Sequence, residues 1–126
     1  MKRRIVSLLA ATVLALSMTA CGNGLPDYTT QDAYDLGIEA YECMEDFCNG
    51  SMNENTLEEK LSDIYADLED IESDHEKNDE SSDYINDGSI ALSVNLALSE
   101  LRVMDEGETY GIENARDELA EKLELN

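Results

Sequence analysis

S-I-A-L-S-V-N-L-A-L-S-E-L-R-V-M, Ser89 to Met104, is the most apolar run in the chain after its first 20 residues. At 100° per residue, Ile90, Val94, Ala97, Leu98, Leu101 and Met104 fall on one side, and Leu92, Leu96 and Val103 form a second apolar strip. No charged residue stands between Asp87 and Glu100. A run of this length is too short to span a bilayer comfortably, and the pattern predicts a buried core helix that ends near Glu106-Gly107.

Three further stretches supply partners for that helix. From Thr30 to Cys48, residues Ala33, Leu36, Ala40, Cys43, Met44 and Phe47 share a side that Tyr34, Ile38, Tyr41 and Cys48 widen. Asp32, Asp35, Glu39, Glu42, Glu45 and Asp46 occupy the opposite arc, so the helix has room for two packing neighbours. Thr29 or Thr30 is placed to cap its start, and Asn49-Gly50 to stop it. The second stretch begins at Thr56, which with Glu59 fits a capping box. Its apolar residues Leu57, Leu61, Ile64, Leu68 and Ile71 alternate spacings of four and three, the pattern of a helix seam. Asp74 to Asp87 is polar and reads as a loop or a frayed helix end, with Tyr84 and Ile85 docking back. The fourth stretch starts at Thr109 or Ile112 and places Ile112, Ala115, Leu119 and Leu123 on one face, with Glu118 and Lys122 at ion-pair spacing. No strand-like alternation recurs. The expected fold is all-α, a small four-helix up-down bundle with the third helix central.

Charge constrains the partners of such a bundle. The 126 residues carry 30 acidic and 8 basic side chains, a formal net charge of −22. A chain this acidic has no basic surface with which to displace counterions from nucleic acid, so nucleic acid is not an expected partner. High net charge also favours disorder, but the helical apolar pattern outweighs it.

The first 20 residues have a different character. Lys2, Arg3 and Arg4 precede an apolar run from Ile5 to Leu16, followed by mostly small residues to Ala20. That is the layout of an export signal. Ala20 would suit ordinary signal peptidase, but Met18 is too large for the position two residues earlier. Met18-Thr19-Ala20-Cys21, followed by Gly22, instead resembles the lipobox of bacterial lipoprotein precursors, with Met18 where leucine is usual. The resemblance covers only the first 22 or so residues. It implies cleavage before Cys21, a diacylglycerol on the Cys21 sulfur, and a location on the extracytoplasmic face of the cell membrane. The expected organisation is a signal peptide at 1–20, a lipid-anchored tether at 21–29 and an acidic helical domain at 30–126. Removing the signal would leave 106 residues with a net charge of about −25. Gly22 to Thr29 would reach at most about 25–30 Å when extended.

Few other residues suggest chemistry. Cys43 and Cys48 suggest a disulfide in an exported chain. In a continuous helix, however, positions five apart lie about 8–9 Å from each other with side chains diverging by about 140°, beyond disulfide reach. Either the helix unwinds near Asp46, or both thiols are free and buried. The only histidine, His75, lies in a polar stretch, and no metal-ligand spacing is present. In Asp83 to Val94, Asp83, Asp87 and Gly88 match positions 1, 5 and 6 of an EF-hand loop, but Ile85 and Val94 occupy two ligand positions. A turn explains the same residues. Glu59, Asp63 and Asp67 form a self-repelling i,i+4 series that diffuse divalent cations would relieve. No nucleophile–histidine spacing, phosphate loop or cofactor motif is present, and no small-molecule substrate is evident, so an enzyme is not expected. The leading expectation is a surface-displayed module that binds an envelope or extracellular protein. The alternative is acidic capture of divalent cations or cationic peptides, and a hydrolase is a third possibility.

Overall fold

The computed structural model describes residues 24–125. The signal-like segment, the lipobox with Cys21, and the start of the tether lie outside the described residues. Among those described, four helices follow in order: α1 (Gln31–Cys48), α2 (Glu54–Lys77), α3 (Ile85–Val103) and α4 (Tyr110–Lys122). There is no strand among them, and the short connections make successive helices antiparallel, in a four-helix up-down bundle. The helices form a ring in which each meets the next and α4 closes onto α1. Across the middle, α1 also comes close to α3, whereas the backbones of α2 and α4 stay apart. The centre therefore belongs to the α1–α3 diagonal rather than to the third helix alone.

Small residues make that diagonal close. Ala33 and Ala40 of α1 and Ala97 of α3 have no exposed surface, and a Cβ at Gly37 of α1 would come within 3.1 Å of Ile90 in α3 and 2.7 Å of Leu123 at the end of α4. Met44, Leu57, Leu61, Leu68, Ile90, Val94, Ile112, Leu119 and Leu123 fill the remaining space, each contributing about 1.5–3 kcal/mol by leaving water. Every buried apolar residue among those described lies between Pro26 and Leu123. A chain starting at Gly22 thus contains the whole of this core.

The helix ends show where local chemistry prevails. Thr30 caps α1, accepting from the Ala33 N–H at 3.3 Å. The second helix starts at Glu54, two residues before the expected capping box, because Asn53 accepts the Thr56 N–H at 2.9 Å. It also continues to Lys77, well into the expected loop. Three helices end in paired bonds that fold the chain back over the last turn. Ser51 N donates to Asp46 O after α1, Glu80 N to His75 O after α2, and Leu125 N to Ala120 O after α4. The left-handed residue each turn requires is Gly50 in the first, but Asp79 and Glu124 in the others.

The third helix begins at Ile85, four residues before the expected Ser89. No side chain of Tyr84 caps it. Instead the Asn86 N–H donates to the Tyr28 carbonyl at 3.1 Å, so the segment before α1 satisfies a donor that a local cap would otherwise serve. Its face bearing Ile90, Val94, Ala97, Leu98 and Leu101 is buried. The second strip is not: Leu92 is 68% and Val103 77% exposed, as is Ile85 at 64%.

Candidate functional site: a buried histidine–aspartate clasp and its cleft

The clasp gathers four chain segments at one end of the bundle. Its centre is Asp87, in the first turn of α3, with 1% of its surface exposed. A buried carboxylate needs donors, and Asp87 has three. Thr30 N–H donates to Oδ1 at 2.9 Å, Thr30 Oγ1 donates to Oδ2 at 2.7 Å, and His75 Nε2 lies 2.8 Å from Oδ2. Because the carboxylate accepts, the proton on this contact belongs to His75 Nε2. The Thr30 hydroxyl is used twice, as donor to Asp87 and as acceptor at the cap of α1.

His75 comes from the last turn of α2, and its ring stacks on Tyr84 with centroids 4.7 Å apart. Its other nitrogen, Nδ1, is 3.8 Å from a carboxylate oxygen of Glu80. Beside it, the Asn86 amide donates to Thr29 Oγ1 at 2.8 Å and to the Lys122 carbonyl at 2.9 Å, which attaches the end of α4. The segment before α1, the end of α2, the start of α3 and the end of α4 thus meet in one polar network. No buried side-chain nitrogen or oxygen among the described residues lacks a partner.

A cleft of about 350 Å³ opens next to the clasp, between the last turns of α2 and the first turns of α3. Glu72, His75 and Glu76 form one wall, Ile85, Gly88, Ser89 and Leu92 the other, and Ser81 and Tyr84 close the end. A Cβ at Gly88 would overlap the Glu72 carboxylate, so glycine here lets that acid lie against the start of α3. Partial burial nonetheless pushes the Glu72 carboxyl up from its ordinary value, and repulsion from Glu76, Asp87 and Glu69 adds to this.

The clasp resembles half of a catalytic arrangement, an imidazole oriented by a buried carboxylate. Among the described residues no hydroxyl or thiol hydrogen-bonds to that imidazole: Ser89 Oγ donates to the Ile85 carbonyl instead, at 3.4 Å. The bonds that Asp87, His75 and Asn86 make join four segments of the bundle.

The remaining residues singled out from sequence lie elsewhere. Asp83 is exposed, whereas Asp87 is engaged by Thr30 and His75, so the EF-hand-like segment forms a turn and a helix start. Glu59, Asp63 and Asp67 are exposed along α2. The first helix runs unbroken through Cys48, and both cysteines are free thiols, Cys43 buried and Cys48 half-buried. Burial pushes the Cys43 thiol up to about 11. No group of three or more metal-ligating side chains is present among the described residues, and no described helix is long and apolar enough to cross a membrane. Cys21 lies outside the described residues.

His75 is the site residue that the polar composition of its surroundings conceals. It continues the alternation of four and three set by Leu57, Leu61, Ile64, Leu68 and Ile71, which places it on the buried face of α2. Comparison with known proteins gives no match: no family model, no curated protein and no solved structure resembles this chain.

Proposed function

We propose that the chain is a lipid-anchored, extracytoplasmic interaction module, a helical bundle held by Cys21 and presented to an envelope or extracellular protein. The observation that carries this reading is the Met18-Thr19-Ala20-Cys21 lipobox after a basic start and a short apolar run. Diacylglycerol supplies the two acyl chains that stable anchoring requires, at about 0.8 kcal/mol per buried methylene. Two features of the domain support display rather than catalysis. Thr29, the last residue of the tether, and Thr30 are pinned to α3, which fixes the point on the bundle from which the tether leaves. The exposed apolar side chains of α3 offer a partner a surface that acidity alone would not.

The test is the mass of the native protein's N-terminus, together with fractionation of Cys21→Ala. An acylated Cys21 at the first position and release of the variant from the membrane are expected. A bare sulfur, or a variant that stays in the membrane, overturns the anchor.

The exposed Glu59, Asp63 and Asp67 series favours a second reading, acidic capture of divalent cations or cationic peptides. It requires a higher melting temperature in millimolar calcium or magnesium than in monovalent salt of equal ionic strength. Identical melting curves rule it out.

A further inference from the structure

The third helix has two apolar seams and the bundle covers one. Ile85, Leu92, Leu96 and Val103, interleaved with Ser89 and Ser99, repeat at alternating spacings of four and three along the other side. Three of those four apolar side chains are exposed and Leu96 is half-buried. A strip with that repeat is complemented by another helix, and α3 with its 19 residues offers about 28 Å of it.

The rim of the cleft specifies the charge of that helix. Glu72 and Glu76 face Ile85 and Leu92 across the cleft. Among the described residues, lysine and arginine form ion pairs only as Lys77 with Asp74 and Arg116 with Glu45 and Asp117. The acidic wall therefore has no lysine or arginine partner. A second copy of the chain fits poorly, because a two-fold interface on this strip would bring like charges together between molecules of net charge −22. An anionic lipid surface is repelled for the same reason.

We propose that the cleft between α2 and α3 docks a basic amphipathic helix of a protein partner, its apolar stripe against Ile85, Leu92 and Leu96 and its lysines or arginines against Glu72 and Glu76. The inference rests on the reading of the domain as an interaction module, but not on acylation of Cys21. Apolar contact supplies affinity, and the acidic wall sets which way the helix lies and favours basic partners over acidic ones.

The experiment titrates the polypeptide from Gly22 to Asn126 with three synthetic helices of about 18 residues, the length of α3. The first carries leucines at i, i+3, i+4 and i+7 with lysines elsewhere. The second has the same composition in scrambled order, and the third replaces lysine with glutamate. Only the first should bind well. Ile85→Ser with Leu92→Ser should weaken it about tenfold, and Glu72→Gln with Glu76→Gln roughly threefold, with a flatter salt dependence. Glu54→Gln with Glu58→Gln, on the exposed start of α2, should change nothing. Because all these positions except Glu72 are exposed or at the rim, circular dichroism of each variant should match the parent. Equal binding of the scrambled peptide, an unchanged affinity on losing Leu92, or a Leu92-dependent dimer in sedimentation each overturns the docking helix. None of these results bears on Cys21, whose mass and fractionation test the anchor separately.

Discussion

The two ends of the bundle are held by different physics. At the clasp end, Asp87 bonds to Thr30, 57 residues away in sequence, and to His75, 12 residues away, while Asn86 reaches Thr29 and Lys122. At the other end, α1 finishes among Cys43, Met44, Phe47 and Cys48, with Met52 packed beside them, and the nearest ion pair is Arg116 with Glu45 at 3.2 Å. Directional bonds fix one end, and shape and area fix the other. The clasp is therefore vulnerable to the loss of a single atom pattern, whereas the cysteine end should yield gradually to changes in volume.

Asp87→Ala is the strongest way to break that contrast. It strands the Thr30 N–H, the Thr30 hydroxyl and the His75 ring around a position that is 1% exposed. A loss of about 3–5 kcal/mol is expected, read by urea denaturation. Asp87→Asn keeps an acceptor for Thr30 and should cost less than half of that. At the opposite end, Cys43→Ala removes one buried sulfur and should cost about 1–2 kcal/mol. If Asp87→Ala cost no more than Cys43→Ala, the clasp would not be what secures its end.

The same contrast governs what could be read from sequence. The apolar end and the core were legible because periodicity reports burial: Leu57, Leu61, Ile64 and Leu68 stand in the core, and so does the Ile90 to Leu101 face. The clasp was not legible. Its bonds join short polar side chains whose partners are tens of residues away, and nothing local distinguishes Asp87 from the many other acids in the chain. The helix starts before Ser89 for that reason, since the Asn86 N–H is taken by the Tyr28 carbonyl and the Asp87 carboxylate by Thr30, both distant in sequence. Leu92 and Val103 were legible as apolar but not as exposed, because periodicity alone does not state which seam the bundle covers.

The thiols sharpen the comparison at the apolar end. Burial raises both, Cys43 to about 11, and thiolate is the reactive form. Alkylation of the native protein at pH 8 without reductant should label both cysteines, Cys43 at least about tenfold more slowly than the half-buried Cys48. Labelling only after reduction would reveal a disulfide, and equal rates would mean that this end opens freely.

Acidity supplies a smaller test spread across both ends. Burial raises the carboxyls of Asp35, Glu39, Glu42 and Glu72 above their ordinary values. The folded state then binds more protons than the unfolded one, so stability is gained as pH falls toward the ordinary carboxylate range and lost as pH rises through the raised values. The melting temperature should climb by a few degrees from pH 7 to about pH 5. Glu72→Gln should reduce that climb, since Glu72 lies at the clasp end under the added repulsion of Glu76, Asp87 and Glu69. A melting temperature that falls over the same range would show that the desolvated acids do not dominate the response.

The smallest effect lies in the turns. The first helix, at the cysteine end, closes with Gly50 at φ 85°, whereas α2, at the clasp end, closes with Asp79 at φ 57°. Both turns make the same pair of backbone bonds, but only glycine adopts this conformation without strain from a Cβ. Asp79→Gly should therefore stabilise by about 0.5–1 kcal/mol, and Gly50→Ala should destabilise by a similar amount. Neither position carries a side chain that the core uses, since both are exposed. The two substitutions isolate backbone conformation from every other difference between the ends. A neutral Asp79→Gly would mean that the aspartate gains enough locally to offset its strain. Adding Asp87→Ala to it would then show whether that gain depends on the clasp, because coupled sites fail to add and independent ones do not.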